Sequence, residues 1–314
     1  MKLVMFQGQG DPRLGAHLGD NIVDLNLAGE CLAAERGFFR ARAWAEAYLP
    51  AETIQFLQGG DRSMAEARLA MEWAEKNAGA MVRNTPVVRP ADSVSLVAPV
   101  LKPEKIICVA HNYHDFCKEL GLTPREVPRI FSKFANAVCG WEDPIIRAKM
   151  TRQLGYEAEL GFVVGKRCKN VSEEDAYDYI AGYMTFNDIS ASDLTKFDGQ
   201  NTRGKGFDTF AAMGPYLVTS DDVPDPHDLK VELRVNGTVL QTSNTRELVH
   251  NVPQLLSFCS QVFTLEPGDV VATGTPGGLA KDRNPTTFME PGDIMETEIG
   301  HLGLMRNPIV EEVL

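Results

Sequence analysis

The sequence predicts an α+β protein, mainly β. A small mixed α/β N-terminal domain (1–90) precedes a larger, β-rich domain (104–314). Three observations predict this. Helix-period apolar spacing is concentrated in the first quarter of the chain. Alternating or continuous apolar runs bounded by Gly and Pro dominate after Pro103. Between the two, Pro86, Pro90, Pro99 and Pro103 fall among β-branched residues, which reads as an extended connector set at 91–103.

In the N-terminal part, KLVMF and NIVDL read as short strands separated by Gly/Asp/Pro punctuation. From Ala28 the pattern turns helical: Cys31-Leu32, Phe38-Phe39, Trp44 and Leu49 recur until Pro50 stops the run. A second helix is predicted from Ser63, with Glu66 completing a capping box, through Leu69, Met71 and Trp73 towards Lys76. After Pro103, KIICVA (105–110) is a compact apolar strand, and YEAELGFVVG (156–165) alternates and then runs apolar. VELRVNGTVLQT (231–242) is a hairpin turning at Asn236-Gly237. LEPGDVVATG (265–274) and MEPGDIMETE (289–298) each use Pro-Gly as a tight turn into a strand. Helices are predicted at 173–179, capped by Ser172, and at 254–263. Neither GxGxxG nor a Walker loop is present, so a doubly wound nucleotide-binding sheet is not expected.

Composition narrows the function. The 314 residues carry 31 Lys+Arg against 43 Asp+Glu, a net charge of −12, which argues against nucleic acid as a partner. An anionic substrate would need a local reversal of that sign. No apolar run approaches the roughly 20 residues that span a bilayer, and polar residues interrupt the N-terminus early, so no membrane partner and a cytoplasmic location are expected. Cys31, Cys108, Cys117, Cys139, Cys168 and Cys259 include no CxxC pair and suit ordinary thiols in a reducing compartment.

One cluster stands out. Glu157 and Glu159, at i and i+2 of a strand-like run, point to the same face. Two like charges there are unfavourable unless a cation or a basic partner lies between them, and Asp188, at the end of GYMTFND, could complete an all-oxygen site. Such ligands suit one Mg²⁺ or Mn²⁺ per chain, and Ca²⁺ also fits. A solvated strand face with a turn aspartate is the plain alternative.

The strings YEAELGFVVGKRCKNVSEEDAYDYIAGYMTFNDISASD, GKGFDTFAAMGPYLV and EPGDVVATGTPGGL resemble the fumarylacetoacetate hydrolase family, in order from about Lys105 to Asn307. The resemblance implies mixed β-sheets rolled around a metal site in the C-terminal catalytic domain, an N-terminal extension, and a homodimer. It implies Glu157, Glu159 and Asp188 as metal ligands, and Lys205 as a catalytic group facing the metal. It also implies Lys133 reaching the pocket. Thr275, in TGTPGG (273–278), belongs to a loop whose N–H groups could cradle a carboxylate as a backbone nest does.

Two departures matter. In CVAHNYHDFCKEL (108–120) the family's water-activating histidine is replaced by Phe116, whereas Glu119 keeps the partner glutamate. His114 or Glu119 is then expected to substitute, with Tyr113 beside them in contact with substrate. Ser192 and Thr195 also stand where many members have Arg and Gln. The resemblance implies a hydrolase that cleaves a C–C bond of an acylpyruvate or 1,3-diketo acid, acting in the catabolism of aromatic or related compounds. The alternatives are a decarboxylase, lyase or isomerase working through the same metal enolate, which Phe116 favours, and a binding protein without turnover.

Overall fold

A computed structural model of the chain describes residues 1–8 and 10–313. The N-terminal part begins with strands β1 (Lys2–Phe6), β2 (Arg13–Leu18) and β3 (Asn21–Asp24), followed by helices α1 (Leu25–Glu35), α2 (Ala41–Tyr48), α3 (Thr53–Gln58) and α4 (Gly60–Lys76). Strand β4 (Val88–Pro90) closes this part. Asp24 caps α1 by accepting from Leu27 N. The helical pattern predicted from Ala28 to Leu49 is thus two helices. The capping box predicted at Ser63 does not form, because α4 starts three residues earlier and Ser63 is buried within it.

The C-terminal part contributes β5 (Ile106–Ala110), α5 (His114–Glu119), β6 (Arg129–Lys133), β7 (Ile145–Arg147), β8 (Ala158–Val164) and β9 (Ile180–Asp188). Helices α6 (Ser192–Asp198) and α7 (Asn201–Lys205) follow, then β10 (Ala211–Thr219), β11 (Lys230–Val235) and β12 (Thr238–Asn244). The chain ends with α8 (Val252–Val262), β13 (Val270–Ala272), β14 (Ile294–Ile299) and β15 (Leu304–Glu311).

One 12-stranded mixed sheet runs β4-β3-β2-β1-β10-β9-β8-β13-β5-β6, with the short strands 96–97 on β1 and 138–139 on β10. The predicted two-domain division is therefore bridged. Strand β1 pairs with β10 (Lys2↔Val218, Leu3↔Leu217), and residues 96–97 of the predicted connector pair with β1. Leu3, Trp44 and Phe56 share a core with Met184, Phe186 and Met213. A five-stranded sheet, β7-β15-β14-β11-β12, packs on the other side of the central strands.

Local chemistry explains several elements. Asn236 and Gly237 both have positive φ, the condition for the twisted two-residue turn joining β11 and β12. Asn251 and Gln254 form a capping box at α8. The two Glu-Pro-Gly-Asp turns close identically. Asp269 accepts from Glu266 N and Asp293 from Glu290 N, each at 2.8 Å, and both returning N–H bonds to the glutamate carbonyl measure 3.0 Å. The helix predicted at 173–179 is a 3₁₀ turn at Ala176–Tyr179, with Ser172 Oγ accepting from Asp175 N.

Candidate active site

The β8–β9 ladder builds the acidic cluster. It pairs Ala158 with Asn187 and Glu159 with Phe186, and Asp188 N donates to Glu157 O at 2.9 Å just beyond it. Residues directly opposite share a face, and so do i and i+2. Glu157, Glu159 and Asp188 therefore converge, and one carboxylate oxygen from each lies within 4.8 Å of the others. Asn187, which points away, locks the crossing: its Oδ1 accepts from Glu157 N and its Nδ2 donates to Thr297 Oγ1.

Two lysines meet the cluster. Lys205, at the end of α7, lies 2.6 Å from Asp188 Oδ2 and 2.8 Å from Glu157 Oε1, with its ammonium 5.2 Å from the Phe131 ring centre. Burial opposes its charge, but Asp188 and Glu157 outweigh burial and raise its pKa, so it stays an ammonium. Lys133 is buried and lies 2.6 Å from Asp188 Oδ1, at an angle off the hydrogen-bonding direction. Its protons go to Ile189 O and Phe210 O. It therefore backs Asp188 rather than reaching a substrate, against the sequence expectation.

The donor chemistry fits a divalent cation. Two buried carboxylates and the half-buried Glu157 face two ammonium groups, so the acids outnumber the bases in the cluster. Burial, reinforced by Asp188 and Glu157, pushes the Glu159 carboxyl well above its ordinary value, and burial also raises Glu157. Hard carboxylate oxygens at this spacing are what Mg²⁺, Mn²⁺ or Ca²⁺ takes.

The loop 273–278 holds the protein's own carboxylates. Gly274 N donates to Glu159 Oε2 at 2.8 Å, from a backbone with φ +102° on which a Cβ would meet Val109 O at 2.9 Å. Gly278 N donates to Glu119 Oε2 at 2.7 Å.

Glu157 and Lys205 open into a cavity of about 590 Å³, lined also by His111, Phe116, Arg129 and Thr275. The Thr275 hydroxyl accepts from Gln241 Nε2 at 3.0 Å. Glu119 and His114 do not line this cavity: Glu119 is turned to Gly278, and His114 faces a separate surface hollow beside Lys118 and Glu247. Tyr113 is fully buried against Phe116, Leu248 and Leu279, and its hydroxyl has no hydrogen-bond partner among the described residues. His111, in the same segment 108–120, has no role assigned to it from the sequence. It lines the cavity in the left-handed conformation (φ 59°), 5.3 Å from the Phe116 ring. Asn112 holds that bend, donating to Thr273 O and His250 O and accepting from His250 N. Burial, then Arg129, Arg125, Lys281 and Lys205, lowers the His111 pKa.

Fold and site together define a class: a mixed-sheet protein with three carboxylates, placed to hold a divalent cation, beside a cavity that Glu157 lines. Residues 105–310 match the family model for the fumarylacetoacetate (FAA) hydrolase C-terminal domain, and the chain belongs to the fumarylacetoacetate hydrolase family. A mitochondrial oxaloacetate tautomerase of Xenopus laevis is 39% identical over 316 residues, covering 99% of this chain and 90% of that protein. A fumarylacetoacetate hydrolase from Exiguobacterium antarcticum superposes with a TM-score of 0.79 at 29% identity, over 99% of this chain and all of that one. A maleylpyruvate hydrolase from Sphingobium sp. SYK-6, solved with manganese(II) and pyruvate, gives 0.74 at 30% identity over the whole of both chains. These relatives include hydrolases and a tautomerase, so family membership does not select hydrolysis. Among the described residues no helix is long and apolar enough to cross a membrane.

Proposed function

We propose that this chain is a divalent-metal-dependent tautomerase that interconverts the keto and enol forms of a small 2-keto diacid of the oxaloacetate type. The observation that carries this reading is the cavity lining. Phe116 and His111 face the cavity while Glu119 is held outside it by Gly278 N, so no His–Glu pair stands ready to activate water. The 39% identity with an oxaloacetate tautomerase over nearly the whole chain supports the same direction. C–C hydrolysis, the reading the sequence favoured, needs that water.

Tautomerisation moves one proton between C3 and the oxygen on C2 and breaks no C–C bond. His111 has the properties of the proton carrier: burial and four surrounding cations keep its imidazole neutral near pH 7. A ring nitrogen takes the C3 proton and returns a proton to the oxygen. Lys205, held as an ammonium by Asp188 and Glu157, orients the substrate by its anionic oxygens. A cation held by Glu157, Glu159 and Asp188, which we take to be Mg²⁺ or Mn²⁺, supplies charge that stabilises the enolate. Manganese in the maleylpyruvate hydrolase supports that choice.

The test follows the enol absorbance of oxaloacetate with Mn²⁺ and with a chelator, alongside NMR of the products. Acceleration that disappears with chelator and in His111→Gln, with oxaloacetate as the only product, is expected. No acceleration with metal bound, or cleavage of an acylpyruvate, would overturn the reading.

A further inference from the structure

Strand β6 carries Arg129, Phe131 and Lys133 at i, i+2 and i+4, on one face. Lys133 ends against Asp188, and Phe131 lies under the Lys205 ammonium. Arg129 stands at the rim of the same cavity, opposite Ala110 in the β5–β6 ladder and next to the bend at His111. It is exposed and makes no ion pair among the described residues, although the chain has 43 acids to pair with. Across the cavity, α6 lines it with two short hydroxyls and, a turn further on, Lys196. The hydroxyls are those of Ser192 and Thr195, and Thr195 Oγ1 is already spent on Ser192 O.

Gln153 lines the cavity as well. Its backbone is fixed at both ends, its N–H on Thr151 Oγ1 and its carbonyl accepting from Ser192 N, while its side-chain amide has no partner among the described residues. An unpaired guanidinium and an unpaired amide thus share one cavity with the three-carboxylate site, in a chain whose net charge of −12 would otherwise repel an anion.

We propose that Arg129, with the Gln153 amide beside it, is the subsite for the distal carboxylate of a 2-keto diacid and makes the cavity selective for diacids over monoacids. The keto-acid end lies at Lys205 and the carboxylate cluster, and the second carboxylate points to the rim. Two strand steps, roughly 7 Å along β6, separate Arg129 from Phe131, which lies under the Lys205 ammonium. The two carboxylate carbons of a four-carbon diacid lie about 4 Å apart, and the long arginine side chain covers the remainder. A guanidinium also suits a planar carboxylate better than an ammonium does, through two parallel N–H bonds.

This inference rests on the keto-acid reading above, and its test is binding rather than turnover. Calorimetry on the Mn²⁺-loaded full chain compares 2-oxoglutarate with 2-oxobutyrate, which lacks the second carboxylate. The wild type should prefer the diacid. Arg129→Gln should weaken the diacid by about 10- to 100-fold while leaving the monoacid unchanged, which also shows that the variant is folded. Arg129→Lys should recover part of the loss, and Gln153→Leu should show a smaller loss of the same selectivity. A wild type without diacid preference, or an Arg129→Gln variant that keeps that preference or weakens both ligands equally, would overturn the proposal. If Arg129→Gln loses diacid selectivity while the wild type does not accelerate enol–keto exchange, the subsite stands and the tautomerase reading falls. If exchange is accelerated and Arg129→Gln keeps its diacid preference, the reverse holds.

Discussion

Lys133 Nζ lies 2.6 Å from Asp188 Oδ1, with both side chains at most 1% exposed, and the same ammonium donates to two backbone carbonyls. The lysine thereby backs one carboxylate of the cluster from behind. Replacing it by methionine would leave Ile189 O without its lysine donor and the Asp188 carboxylate without the ammonium behind it, while Phe210 O keeps the bond from Ile189 N. Lys133→Met is expected to cost about 3–5 kcal/mol in denaturant unfolding, and to weaken Mn²⁺ binding as Asp188 loses its support. A stable variant with unchanged metal affinity would count against this role.

Glu159 and Glu157 link metal binding to pH. Their carboxyls are raised by burial, so between the ordinary carboxylate range and the raised values the metal-free fold binds more protons than the unfolded chain. Without metal, this contribution to stability falls as pH rises through that window. A cation reverses the sign, because it binds the deprotonated groups. The gain in Tm on adding Mn²⁺ should therefore grow from about pH 5 to about pH 8. Thermal unfolding with metal and with chelator at several pH values checks it, and a constant gain would contradict it.

The paired Glu-Pro-Gly-Asp turns allow an internal comparison. Asp269 is fully buried and accepts from Lys105 N as well as Glu266 N, with Lys105 Nζ 3.0 Å away. Asp293 makes the same turn bond near the surface and receives Asn236 Nδ2. Asp269→Ala should cost about 2–4 kcal/mol and Asp293→Ala about 1 kcal/mol, because only the first leaves partly buried donors unpaired. Equal losses in chemical denaturation would show that burial is not what separates them.

Tyr113 is expected to be dispensable for substrate. Its hydroxyl is buried and unpartnered, so removing it relieves an unmet polar group. Tyr113→Phe should leave stability within about 1 kcal/mol or raise it, and leave 2-oxoglutarate affinity unchanged. A marked fall in affinity would return the hydroxyl to the substrate.

The three-carboxylate cluster was the most legible part of the site. Glu157 and Glu159 repeat at the strand period and Asp188 ends a second apolar run, so pairing the two runs was enough to bring them together. Phe116 was equally legible as a departure. The roles of Lys133, Glu119 and His114 were not, because direction depends on what lies behind each side chain. Lys133 is claimed by carbonyls 56 and 77 residues away, and Glu119 by a glycine amide 159 residues away. Local pattern does not encode such contacts.

The sequence by itself determined the strand runs, the hairpin at Asn236-Gly237, the cluster of acids and the family resemblance, since each depends on local periodicity or short-range chemistry. The fold alone decided that the N-terminal strands join the catalytic sheet, that the Gly274 and Gly278 amides serve Glu159 and Glu119, and that His111 and Arg129 face the cavity. Those outcomes follow from hydrogen bonds and packing between residues far apart in the chain, which exist only once the sheet has closed.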